Sequence, residues 1–190
     1  MFCHDLWNRQ SNFQLRELSY LLIYLKKPAK AGLKTFPVHI KNILVPHAGT
    51  LLGDKALSYA IKIAKLSGAT INILHSVEPL PNPPPMVFAK KQDSKMRKEV
   101  EQTEDALVQD IREELQKRAD YCKSKNINAN SIVVKGRPED EILKYSKNHH
   151  VDLIIMAKRR KIPGIGGMLH LGSVSRKILE TSNKPVLILE

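Results

Sequence analysis

The residues best placed to do chemistry lie between Val151 and Ser175, in VDLIIMAKRRKIPGIGGMLHLGSVS. A cationic run, Lys158-Arg159-Arg160-Lys161, follows a short apolar stretch. Pro163, Gly164, Gly166 and Gly167 then exclude a continuous helix, and Gly172-Ser173-Val174-Ser175 opens a new periodic segment. Glycine lets a backbone approach a ligand closely, and free N–H groups at a helix start favour anions. Strand, basic glycine loop and Gly-Ser helix start together make a phosphate seat. Other chemistry is less well supplied. Ser173 and Ser175 lack a Gly-x-Ser-x-Gly elbow, and read as caps of the helix that follows. Neither GxxxxGK[ST] nor GxGxxG at a strand-to-helix turn occurs. His47, His75 and His170 are enough in number for zinc. They read instead as surface or ligand-facing residues, with no metal. No general base is visible, so the chain is not read as an enzyme; any hydrolysis is slow and incidental.

The elements that must position this loop are those of a soluble α/β domain. The chain has 190 residues, 42% of them hydrophobic and 26% charged. Its 31 basic against 19 acidic residues give a net charge of +12, which makes polyanions reasonable partners. Aromatic residues are only 5%, too few for a stacking platform for single-stranded nucleic acid. Cys3 and Cys122 form no disulfide framework, and Leu18–Leu25 is too short to span a bilayer and lacks signal-peptide features. The expected location is the cytoplasm.

Residues 1–37 read as an N-terminal extension and linker, with leucines at helical spacing over Phe13–Lys26 predicting one amphipathic helix. Residues 38–190 form the domain proper. Ile40–Pro46 is the first strand and Asp54–Ser67 an amphipathic helix ended by Gly68. Thr70–Ser76 is the second strand. Glu78–Pro85 is proline-rich and a stiff surface connection. Phe88–Lys125 is a long charged helix with an apolar stripe of Val100, Leu107, Ile111, Leu115, Ala119 and Cys122, and with Glu113–Lys117 and Glu114–Arg118 at favourable spacing. Asn130–Lys135, Val151–Met156 and Pro185–Leu189 are further strands, alternating with helices over Glu139–Asn148 and Gly172–Ser182. Five strands alternating with helices predict a parallel sheet covered on both faces.

Taken in order, these segments resemble the universal stress protein family. The likeness rests on Ile43–Pro46 (ILVP), Ala56–Pro79, Gly136–Leu143 (GRPEDEIL), Val151–Met156 (VDLIIM), Leu171–Leu179 (LGSVSRKIL) and Asn183–Leu189 (NKPVLIL), and covers residues 40–190. It implies an adenine-nucleotide-hydrolase-like α/β fold: one doubly wound five-stranded parallel sheet, order 3-2-1-4-5, with helices on both faces. It also implies a homodimer paired through the last strand. The family contains ATP-binding members and members that bind no nucleotide.

In that strand order the first and fourth strands are neighbours, and a ligand sits at the carboxyl ends where the order reverses. The residues there are Pro46, His47, Ala48, Gly49 and Thr50 after the first strand, and Met156, Ala157, Lys158 and Arg160 after the fourth. Ser76 and Val77 follow the second strand, and Gly172, Ser173, Val174 and Ser175 open the last helix. The family's ATP-binding pattern is GxxG, nine residues, then G-S/T. Its glycines fall here on Ala157, Arg160 and Gly172, with eleven residues, Lys161–Leu171, in between. Its strand-one aspartate falls on Ala48. The expected ligand is ATP or a related adenine nucleotide, any magnesium arriving with it, and the expected role is regulatory, with an unknown protein partner. The alternatives are a nucleotide-free homodimeric interaction module and a weak non-specific polyanion binder. No specific nucleic-acid target is expected.

Overall fold

The apolar runs that read as buried strands form the centre of one sheet in a computed structural model that describes residues 21–24, 39–79, 90–157 and 172–189. In chain order the elements are β1 (Leu21–Tyr24), β2 (Asn42–Pro46), α1 (Leu51–Ser67), β3 (Thr70–Val77), α2 (Lys90–Ser124), β4 (Ala129–Lys135), α3 (Pro138–Asn148), β5 (Leu153–Ala157), α4 (Ser173–Thr181) and β6 (Val186–Leu189). The strands stand in the order β1-β6-β5-β2-β3-β4. Strands β2 to β6 are mutually parallel and, counted among themselves, follow 3-2-1-4-5. The expected doubly wound sheet is therefore present.

Strand alternation divides the core in two. Ile43, Val45, Ile71, Ile73 and Ile155 face one side, where α1 packs through Ala56 to Ala64 and α2 through Leu115, Ala119 and Cys122. Leu44, Leu74, Ile154 and Ile188 face the other, under Ile142 of α3 and Ile178 of α4. Asp152 ties the entry of β2 to β5: its Oδ2 accepts from the backbone N–H of Lys41 at 2.8 Å and of Asn42 at 3.0 Å. That sets the register Ile43 beside Leu153, which brings the ends of these two strands to one level.

Helix starts and stops follow local chemistry, with differences from the expectation. α1 begins at Leu51, three residues earlier than read, because Thr50 Oγ1 accepts from the Gly53 N–H at 3.2 Å and caps it. Gly68 ends it in the left-handed conformation, φ +73°. In α2 the inward residue is Val108, 6% exposed, while Leu107 is 46% exposed. Among its described side chains the helix docks through its later turns, and the residue facing the sheet there is one position on. Lys117 Nζ pairs with Glu114 at 2.7 Å, and Arg118 with Glu114 at 3.3 Å. Burial pushes the Cys122 thiol up to about 11, so this cysteine is a packing residue.

The largest difference lies at the N-terminal end. Leu21–Tyr24 is a strand, β1, where helical spacing had predicted part of a helix; the rest of 13–26 lies outside the described residues. It pairs antiparallel with β6, Leu21 opposite Leu189 and Tyr24 opposite Val186. The reason is tertiary: β6 has an outer edge to offer, and LLIY suits a ladder as well as it suits a helix. This is also the edge through which the resemblance implied pairing with a second copy.

Candidate functional site

β2 and β5 diverge at their carboxyl ends, because the chain leaves β2 for α1 on one face and β5 toward α4 on the other. A cavity of about 620 Å³ opens there. Of the residues singled out in the sequence, Pro46, His47, Ala48, Thr50, Ser76, Met156, Ala157, Gly172, Ser173, Val174 and Ser175 line it. Gly49 and Val77 do not. Gly49 instead donates its N–H to His47 Nδ1 at 3.0 Å, and the Val77 side chain is 8% exposed in the core. Lys158, Arg160 and the rest of 158–171, including His170 and the loop glycines, lie outside the described residues.

Three walls have distinct characters. The β2–α1 turn brings Ala48, an exposed methyl, and Thr50, whose hydroxyl is taken up as a helix cap. The second wall is apolar: Leu74, Ile142 and Met156 are buried side chains of β3, α3 and β5. The third is the first turn of α4. Gly172 is its N-cap, with no side-chain cap bond and no acidic residue in the first turn. The expected capping by Ser173 or Ser175 does not occur; Ser175 is buried, and a serine already inside the helix cannot reach back over its own first N–H groups. Those N–H groups have no intrahelical acceptor and carry the positive end of the helix dipole. An anion fits there; where the resemblance places a strand-one aspartate, Ala48 offers no side-chain acceptor.

Two histidines stand behind the turn. They extend the inward rows of their strands, His47 after Ile43 and Val45, His75 after Ile71 and Ile73. His47 is 3% exposed. Its Nδ1 accepts from Gly49, so Nε2 carries the proton and donates to Asp54 Oδ1 at 3.1 Å. Asp54 in turn accepts from Arg118 Nε of α2 at 2.8 Å. A Cβ on Gly53 would come within 2.8 Å of the His47 ring, so the glycine gives the ring its room. Glycine in a first helical turn costs about 1 kcal/mol against alanine. That local penalty was the one sequence signal of this packing. Arg118 and Asp54 are too far apart in the chain to be read together.

His75 also lines the cavity. Its Nδ1 is buried and finds no hydrogen-bond partner among the described residues. Ser76 Oγ is already engaged, donating to the Gly136 carbonyl at 2.6 Å. Among the described residues no group of three or more His, Cys, Asp and Glu could hold a metal ion.

Burial, helped by the positive charge of Arg118, holds His47 below its ordinary 6.5, although Asp54 pulls the other way. Burial also lowers His75, against a backbone hydrogen bond with His47. For Asp54, burial pushes upward, but the hydrogen bond and charge of Arg118 and the contact with His47 outweigh it, and the carboxyl is lowered. Groups with depressed folded-state values stabilise above their unfolded values and lose that contribution as pH falls. Stability measured by urea unfolding is therefore expected to be flat from pH 6.5 up to 9.0, where the unfolded Cys122 thiol begins to ionise, and to fall below 6.5, as the unfolded chain takes up protons that buried His47 and His75 resist. A second loss follows below 3.8 from Asp54. Arg118→Met removes one cause of the depression, so it is expected to flatten the first fall; an unchanged slope would show that Arg118 does not act on His47.

Comparison with known proteins agrees with this geometry. The model of the universal stress protein family matches residues 39–190. Universal stress protein YxiE of Bacillus subtilis is 30% identical over 155 residues, covering 78% of this chain and 97% of that one. The solved structure of MJ0577, a universal stress protein of Methanocaldococcus jannaschii, superposes with a TM-score of 0.63 at 23% identity, over 80% of this chain and 96% of that one. A universal stress protein in complex with cAMP gives a TM-score of 0.54 at 19% identity, covering 80% and 98%. One from Archaeoglobus fulgidus in complex with dAMP gives 0.51 at 16%, covering 80% and 99%. The fold defines a doubly wound α/β protein with a cavity at its switch point. The chain belongs to the universal stress protein family. No helix among its described residues is long and apolar enough to cross a membrane.

Proposed function

We propose that the chain is a cytoplasmic regulatory protein that senses an adenine nucleotide at the β2/β5 switch point and is not an enzyme. The observation that carries this reading is the cavity of about 620 Å³ with the uncapped start of α4 in its wall. The phosphates sit at the N–H groups of Ser173, Val174 and Ser175, and the base lies against Leu74, Ile142 and Met156. Solved relatives in complex with cAMP and dAMP support the ligand class. The response is conformational: a seated phosphate favours the arrangement in which α4 and the β2–α1 turn close on it, and that bias is passed to a protein partner. Titration calorimetry and thermal shift with ATP, AMP and cyclic AMP test it. No heat and no shift with any of them would end the sensor reading and leave the nucleotide-free interaction module.

That second reading is favoured by Ala48, which offers no acceptor to a ribose. Ala48→Asp is accordingly expected to tighten AMP binding about 5- to 150-fold, the worth of about 1–3 kcal/mol for a buried polar group given its partner. Equal affinities in calorimetry would show that position 48 does not face the sugar. Polyanion binding through the net charge of +12 ranks third, since that charge carries no geometry of its own. Its binding would weaken steeply with salt.

A further inference from the structure

β6 is apolar throughout, and its residues Val186–Leu189 are 2–6% exposed. On one side it pairs in parallel with β5, and on the other antiparallel with β1. Without β1, its outer N–H and C=O groups would be an open template for any strand. The strand that fits such an edge without further adaptation is a second β6. Two copies related by a two-fold axis pair antiparallel and satisfy each other's edges. β1 and a second β6 thus compete for one set of backbone groups.

We infer that Leu21–Tyr24 is an internal edge cap that keeps the chain monomeric, and that releasing it lets β6 pair with β6 of a second copy. Chain geometry favours capping within one molecule. Because β1 runs against β6, Tyr24 lies at the end of the sheet where β2 begins. Three strand steps separate β1 from β2, roughly 14 Å at the usual spacing. The chain between Tyr24 and Asn42 is several times longer than that span when extended. The cap is therefore tethered beside its edge at high effective concentration. It is also easily displaced. It contributes only four residue pairs. A partner or a cut that removes the segment converts the exposed edge into a dimer interface. None of this depends on what the cavity binds.

Full-length wild type and two full-length variants, Leu22→Pro and Ile23→Pro, test the inference. Proline removes a ladder N–H, and alternate residues of β1 turn their N–H groups toward β6, so the two variants cover both registers. Light scattering is expected to give the 21.5 kDa single-chain mass for wild type and a shift toward twice that mass with rising concentration for at least one variant. Hydrogen exchange should find Val186–Leu189 protected in wild type, unprotected in that variant when dilute, and protected again as it dimerises. Unchanged protection of Ile71–Leu74 shows that the core is folded. Wild type already at twice the mass overturns the cap. So do folded variants that stay monomeric at every concentration, because β6 is then no dimer edge.

Discussion

Gly172→Trp is expected to abolish calorimetric heat on titration with ATP, a loss of at least a hundredfold in affinity, while leaving the fold in place. Gly172 is the N-cap of α4, with φ −60° and ψ 160°, an extended conformation open to any residue. The substitution therefore introduces no backbone strain. Its effect is local and steric. An indole at the cavity wall takes the space in front of the first-turn N–H groups, where a phosphate would gather its hydrogen bonds. A hundredfold corresponds to about 2.7 kcal/mol, the loss of one or two charge-assisted hydrogen bonds. At this half-buried position the change moves folding stability by about 1 kcal/mol, so the melting temperature without ligand should shift by no more than about 4 °C. Undiminished ATP heat in the variant would place the phosphates elsewhere.

Leu115→Ala is expected to cost about 3 kcal/mol in urea unfolding, lowering the midpoint with little change in slope. α2 is long and highly charged, and over its described part it is buried only at Val108, Leu115, Ala119 and Cys122. Leu115, 1% exposed, is the large aliphatic side chain among them that is fully enclosed. Truncating it removes the largest side chain that α2 gives to the core cluster shared with Ile71, Ile73 and Ala129, and the described part of the helix has few other anchors to compensate. Arg118 sits one turn away, so the ion pair with Asp54 behind the cavity depends on the same docking. A cost below about 1 kcal/mol would mean that α2 is held mainly by its charged contacts, such as Lys135 with Asp105 at 3.2 Å.

The cavity was legible in outline from the chain alone, and the reason is topological. A βαβ pattern with this strand order forces a crevice at the ends of β2 and β5, whatever side chains fill it. Hence Pro46, Ala48, Met156 and Gly172 could be named from position only. The supports of the crevice were hidden. His47 was named as a ligand residue, yet both of its ring nitrogens are committed, one to Gly49 and the other to Asp54. Pro138 and Ile142 line the cavity from α3, and nothing in GRPEDEIL marks them as facing a ligand.

Apolar runs, glycine stops and alternation determined the elements of this protein by themselves, because each is set by contacts within a few residues of the chain. Tyr24, His47, Asp54 and Arg118 show what only the tertiary structure decided. LLIY became a strand because β6 presented an unpaired edge from the far end of the chain. The His47–Asp54–Arg118 chain formed because α1 and α2 pack on the same face of the sheet. Both outcomes depend on which groups folding leaves without a partner, and that is a property of the assembled sheet and its layers.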